Sequence, residues 1–109
     1  MLGDFRIGHG YDCHQLIKST PLIICGIEID SPVGSLGHSD GDVGLHAICD
    51  AILGALALGD LGTHFPSSDN QWEDSDSVVF LKTVLSLIND KHYSINNIDC
   101  TIILQSPHI

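Results

Sequence analysis

The sequence predicts an α+β fold, a single domain over residues 1–109 whose sheet carries helices packed on one face. Residues 5–14, "FRIGHGYDCH", alternate with period two, and "LIICGIEI" is rich in β-branched residues, so both read as strands. The stretch "DVGLHAICDAILGALAL" is apolar almost all round, which marks a buried helix, and "VVFLKTVLSLIND" reads as a second helix before a last strand, "IDCTIILQS". Helices segregated from strands in this way suit an α+β domain. A chain of 109 residues has room for one core.

In the first element Phe5, Ile7, His9, Tyr11 and Cys13 fall on one face and Arg6, Gly8, Gly10, Asp12 and His14 on the other. A polar turn, "QLIKSTP", leads to "LIICGIEI", the expected antiparallel partner, with Gly26 marking a bulge. "DSPVGSLGHSDGD" has the composition of a loop, and Ser39 or Asp40 offers the N-cap of the buried helix. Along that helix Asp42, His46 and Asp50 fall at i, i+4 and i+8, a polar stripe on a hidden element. "GDLGTHFPSSDNQWEDSDS" has no periodicity, and a loop this long inside a compact domain is usually functional or mobile. The second helix is capped near Ser75 to Ser77, and "HYSINN" turns the chain into the last strand.

Fourteen acidic residues against four basic ones give a net charge of −10, which opposes binding to nucleic acid and to anionic membranes. An anionic small molecule remains compatible if a metal or a helix N-terminus supplies local positive charge. Cys13, Cys25, Cys49 and Cys100 form no CxxC pair and sit in apolar segments, so they read as buried free thiols of a reducing compartment. The N-terminus lacks the apolar core of a signal peptide. "AILGALALG" falls short of the ~18 residues that span a bilayer. The expectation is a soluble protein of the cytoplasm or of a plastid-type organelle matrix.

On a strand, Asp12 and His14 share a face about 6.6–7 Å apart. With His46 from the helix they make one carboxylate and two imidazoles, and three such ligands with an open fourth position are the pattern of a catalytic zinc site. The same residues also read as an exposed strand end and a hydrogen-bonded core histidine. Asp42 and Asp50, one turn either side of His46, would orient the imidazole from behind the metal; helix capping by Asp42 and plain solvation of Asp50 are the other readings. His38 and Ser39 stand before the helix, where free N–H groups favour phosphate, or else form a simple capping loop. Two further motifs fail. "GHGYDC" has Cys13 where a dinucleotide fingerprint has its third glycine, and "DGDVGL" has Leu45 where a calcium loop has its turn glycine.

Taken together, "RIGHGYDCH", "LIICGIEI", "GHSDGDVGLHAICDAILGALALGDLGTHFP", "DSDS" and "NIDCTIILQSP" closely resemble the 2-C-methyl-D-erythritol 2,4-cyclodiphosphate synthase family of non-mevalonate isoprenoid (terpenoid) biosynthesis. The resemblance implies a homotrimer with active sites between subunits and a zinc ion held by Asp12, His14 and His46. It implies a lyase that cyclises 4-diphosphocytidyl-2-C-methyl-D-erythritol 2-phosphate and releases CMP. His38 matches the transition-state-stabilising histidine, with Ser39 beside it in substrate contact. Asp60, Leu61, Gly62, Phe65, Pro66, Ser67, Ser68 and Asp69 match the segment that holds the methylerythritol phosphate, making the long loop a lid. Leu104, Gln105, Ser106, Pro107, His108 and Ile109 match the start of the cytidine-binding stretch, contributed across the subunit boundary.

Some positions depart from the family pattern. Leu104 stands for a usual alanine, His108 for a common lysine and Ser67 for a frequent aspartate. Family chains continue through a further helix and strands, with a second transition-state residue and a glutamate for a second divalent ion, Mg or Mn. The resemblance therefore implies a chain lacking that C-terminal segment. A zinc-dependent hydrolase and a non-catalytic, metal-stabilised oligomerisation domain are the alternative functions.

Overall fold

A computed structural model describes residues 4–37, 39–69, 71 and 76–109. In chain order the elements are β1 (Leu16–Lys18), β2 (Leu22–Ile24), β3 (Ile27–Ile29), β4 (Val33–Ser35), α1 (Val43–Ala55), α2 (Leu61–His64) and α3 (Ser77–Asp90). The class is α+β, with β1 antiparallel to β4 and β2 antiparallel to β3, beside a layer in which α1 packs on α3.

The run "LIICGIEI" is a hairpin of two strands, not one strand with a bulge. Ile24 faces Ile27, and the chain turns through Cys25 and Gly26 at φ 51° and 82°. Two positive φ values mark a type I′ turn, whose twist matches that of the flanking strands. β1 and β4 arise from the segments expected to be turn and loop. Strands of three residues hold too little alternation to register as a pattern.

Residues 5–14 join no ladder among the described residues. Their even-numbered face nevertheless lies on α1 as the alternation implies. A Cβ on Gly8 would sit 1.7 Å from the Ala51 carbonyl oxygen, and one on Gly10 1.8 Å from that of Ala47, so backbone meets backbone at a distance only glycine allows. The odd-numbered face is bare, with Phe5 84%, Ile7 96% and Tyr11 78% exposed. The expected closing strand is likewise without a ladder, and its Ile103 is 91% exposed. Apolar alternation marks these two segments as one-sided surfaces, but a strand also needs a neighbour for its N–H and C=O groups. Tyr93 donates its hydroxyl to Asp4 at 2.6 Å, which ties the chain after α3 to the start of the first segment.

The N-cap of α1 is Asp42 rather than Ser39 or Asp40. Its Oδ1 accepts from Leu45 N–H at 3.0 Å and Cys25 N–H at 2.9 Å, and its Oδ2 accepts from Gly26 N–H at 2.7 Å. One fully buried carboxylate thus caps the helix and holds the hairpin turn. α1 ends at Ala55, earlier than its apolar run suggests. Leu58 N–H donates to Leu53 C=O and Ala57 N–H to Gly54 C=O, a Schellman motif with Ala57 left-handed at φ 54°. α3 begins after Asp76, within the expected bracket, and ends in the same motif at His92, φ 64°.

The core lies between the helices: Cys49 and Leu53 of α1, Phe80 and Val84 of α3, and Phe65 after α2. Leu22 and Ile24 of the hairpin are also buried. Only Cys49 among the four free cysteines is buried, and burial pushes its thiol up to about 12. The Cα extents are 52 × 31 × 17 Å with a radius of gyration of 14.7 Å. A compact chain of this length would have about 13 Å, so the molecule is a thin slab. Among the described residues no helix is long and apolar enough to cross a membrane.

Candidate metal centre

Two parts of the chain converge at the site, the even face of the first segment and the first turn of α1. Gly10 brings the backbone onto the helix at Ala47, and the next side chains on that face, Asp12 and His14, then reach His46. Asp12 Oδ2 lies 3.1 Å from His14 Nδ1 and 3.3 Å from His46 Nδ1. One ligand atom from each residue lies within 4.8 Å of the others, a group able to hold a metal ion. The side chains are largely enclosed, with 25% of Asp12, 13% of His14 and 12% of His46 exposed.

Asp12 Oδ2 and His14 Nδ1 are buried without a hydrogen-bond partner. They face each other at 3.1 Å, an ion pair if the imidazole is protonated, and a cation between them would take the place of that proton. Burial pushes the Asp12 carboxyl up, but the neighbouring His14 and His46 outweigh it and hold the carboxyl well below its usual range. Asp12 in turn raises His14, against burial, with Asp40 and Asp42 adding to the rise. The lone pairs that take protons here are those a cation would take, so loading a metal releases protons. Imidazole nitrogen with carboxylate oxygen suits a borderline divalent ion.

The centre opens into a cavity of about 290 Å³ whose walls include Ser39, Asp50, Leu61, Gly62, Phe65, Ser67 and Phe80. Phe65 and Phe80 stack with ring centroids 4.4 Å apart and make its floor continuous with the core. α2 is held beside α1 because Asp50 Oδ1 accepts from Leu61 N–H at 2.7 Å. Burial raises the Asp50 carboxyl; the Leu61 N–H opposes this, while Asp60 and Asp12 add to it.

Not every expected site residue gathers here. Asp42 and Asp50 do not orient His46: the first is committed to the cap and the hairpin, the second to α2. The His46 Nε2 instead meets the Ser77 hydroxyl at 2.8 Å and the Ser39 hydroxyl at 3.1 Å. Asp60 N-caps α2, its Oδ1 accepting from the N–H and hydroxyl of Thr63, both at 2.8 Å. Asp60, Pro66, Ser68, Asp69 and Leu104 to Ile109 are not part of the cavity wall. His38 lies outside the described residues.

Two participants escaped the sequence reading. Ser77 starts α3 and Asp40 lies in the loop before α1, and both resemble ordinary helix-end residues. The Asp40 carboxylate accepts from the Ser77 N–H at 2.8 Å and from the Ser77 hydroxyl. Only the folded packing of α3 beside this loop brings them together.

The chain is similar to known proteins along most of its length. The model of the YgbB family matches residues 5–109. A 2-C-methyl-D-erythritol 2,4-cyclodiphosphate synthase of Pseudoalteromonas atlantica is 55% identical over 104 residues, covering 95% of this chain and 64% of the relative. The synthase of Francisella tularensis subsp. novicida is 57% identical over 104 residues, covering 94% and 65%. A solved 2C-methyl-D-erythritol-2,4-cyclodiphosphate synthase in its CDP-bound form superposes with a TM-score of 0.74 at 47% identity, over 80% of this chain and 58% of that one. The chain thus spans 64–65% of the length of these curated relatives.

Proposed function

Since the chain belongs to the YgbB family, we propose that it serves in converting 4-diphosphocytidyl-2-C-methyl-D-erythritol 2-phosphate to 2-C-methyl-D-erythritol 2,4-cyclodiphosphate with release of CMP. The observation that supports this most directly is the pair of buried atoms without hydrogen bonds, Asp12 Oδ2 and His14 Nδ1, beside His46 at a cavity wall. In this reaction the substrate's own 2-phosphate oxygen bonds to the β-phosphorus. The bond from that phosphorus to the cytidyl phosphate oxygen breaks, and CMP leaves with the electron pair.

The protein then supplies no nucleophile. Its tasks are to fold the substrate, align attacking and leaving oxygens, and stabilise charge. Asp12, His14 and His46 would hold zinc, which supplies Lewis-acid polarisation of the diphosphate when bound. Ser39 contacts the substrate from the loop before α1, and Leu61, Gly62, Phe65 and Ser67 shape the cavity for the methylerythritol phosphate. Asp60, Pro66, Ser68 and Asp69 complete the segment that binds that phosphate, and His38 stabilises the transition state. Leu104 to Ile109 receive the cytidine of a site shared with a neighbour in a homotrimer. The bare apolar face of Phe5, Ile7 and Tyr11 supports such an assembly. The bacterial sources of the relatives support a cytoplasmic setting.

The full-length protein is expected to release CMP from this substrate, and His46→Ala to lower the rate more than about 100-fold through loss of the metal. Undiminished turnover in that variant would overturn the reading. So would oxygen-18 in the product after reaction in labelled water, since cyclisation takes no oxygen from solvent and hydrolysis does.

A further inference from the structure

His46 is the one expected metal-binding residue on a helix, and its ring is gripped from behind. The Ser77 hydroxyl is fully buried and touches both the Asp40 carboxylate and His46 Nε2. An ionised carboxylate only accepts hydrogen bonds, and a hydroxyl has a single proton to give. Asp40 already takes the backbone N–H of Asp42 at 3.0 Å and of Ser77 at 2.8 Å, so it is held in place as an acceptor. The Ser77 proton therefore goes to Asp40. Its oxygen faces Nε2 at 2.8 Å with lone pairs, which is favourable only if Nε2 carries a proton. Ser39, 3.1 Å from Nε2 and 3.4 Å from the Ser77 hydroxyl, can accept a share of that N–H or donate to Ser77 without changing the outcome.

In neutral imidazole one nitrogen bears hydrogen and the other a lone pair. With the proton at Nε2, the lone pair sits at Nδ1, 3.3 Å from Asp12 Oδ2. In that neutral form two acceptors face each other, where a protonated His46 would instead donate to Asp12, and a cation takes the place of that proton. We propose that Asp40 and Ser77 are positioning residues which, acting in series, fix His46 as its Nε2–H tautomer and aim Nδ1 at the metal shared with Asp12 and His14. The chain of contacts runs from the loop before α1, through the first residue of α3, to the first turn of α1. Ordering of the α3 N-terminus and readiness of the metal ligand are thereby linked.

This inference rests on the metal reading above, and the test separates the two. In the metal-free, 15N-histidine-labelled full-length protein at alkaline pH, long-range 1H–15N spectra are expected to show His46 as the Nε2–H form. Ser77→Thr keeps that pattern, and Ser77→Ala gives a mixture of tautomers. Zinc affinity, measured by competition with a chromophoric chelator, is expected to fall about 10–100-fold in Ser77→Ala and to stay near wild type in Ser77→Thr. Asp40→Asn combined with Ser77→Ala should weaken zinc binding no further than Ser77→Ala alone, because Asp40 acts through Ser77.

Finding His46 as the Nδ1–H tautomer in the wild type would overturn the proposal, and that measurement needs no variant to fold. A Ser77→Ala protein with a lower Tm but unchanged zinc affinity and tautomer would also overturn it, as that is the mark of a packing role alone. Absence of zinc binding by the wild type would sink the metal reading, while the tautomer still decides the relay.

Discussion

Asp50 is a half-buried carboxylate whose charge the fold resists, because burial raises it above its ordinary value and Asp60 and Asp12 add to the rise. A carboxyl raised by folding contributes stability at pH below its unfolded value, near 3.9, and loses it as pH climbs through the folded value. Asp50→Asn keeps an oxygen for the Leu61 N–H and removes the charge. The variant is expected to melt higher than wild type at pH 7, by less than about 1 kcal/mol after solvent screening, with the difference vanishing near pH 3 in thermal melts. Gly10 is more demanding. A methyl there would meet the Ala47 carbonyl oxygen at 1.8 Å and the Ala51 nitrogen at 2.9 Å, helix backbone that cannot give way. Gly10→Ala is expected to cost about 3 kcal/mol or more in chemical denaturation and to free the segment bearing Asp12 from α1. At this scale the sequence speaks unevenly. Period-two alternation puts Asp12, His14 and the two helix-facing glycines on one face, and the structure keeps them there. The bond of Asp40 to Ser77 joins residues far apart in the chain, and no spacing rule encodes it.

Helices were the legible elements, because length and periodicity survive whatever packs around them. α1 and α3 stand where the apolar runs put them, although the short α2 lies in the segment expected to be a loop, and α1 is capped by Asp42 and ends earlier than expected. Its run continues in apolar residues past Ala55, yet the backbone turns left-handed at Ala57. Hydropathy does not report φ. Relief of a left-handed alanine is worth about 1–2 kcal/mol, offset by roughly 0.4–1 kcal/mol of added freedom in the unfolded chain. Ala57→Gly at this exposed position is therefore expected to raise stability by about 0.5–1 kcal/mol, read as a higher denaturant midpoint with unchanged slope. The strands are hard to read for the opposite reason. Their three-residue lengths sit below the reach of a periodicity argument, and what looked like one long strand hides a turn whose only cue is a glycine after Cys25. A Cys-Gly pair is a poor advertisement for a type I′ turn, which is most often Asn-Gly or Asp-Gly.

For the molecule as a whole, the α+β class and the helical core follow from the segregation of patterns along the chain, whereas pairing of its longest extended segments does not. Alternating apolar residues at 5, 7 and 11 promise a buried face, and in the isolated chain that face meets solvent. The promise concerns burial, not the identity of the neighbour. Ile7, 96% exposed, makes little contact with the other described residues. Ile7→Glu is expected to convert a threefold assembly to monomers in light scattering, with helical circular dichroism retained; a wild type that is already monomeric would remove this prediction. The 17 Å thickness has a consequence of its own. So thin a slab has one layer of helices over little else, and the proposed assembly with further copies would take much of its apolar surface out of water. Its midpoint of thermal unfolding should then climb as the protein is made more concentrated, following mass action, where a self-sufficient fold would melt at one temperature at every dilution.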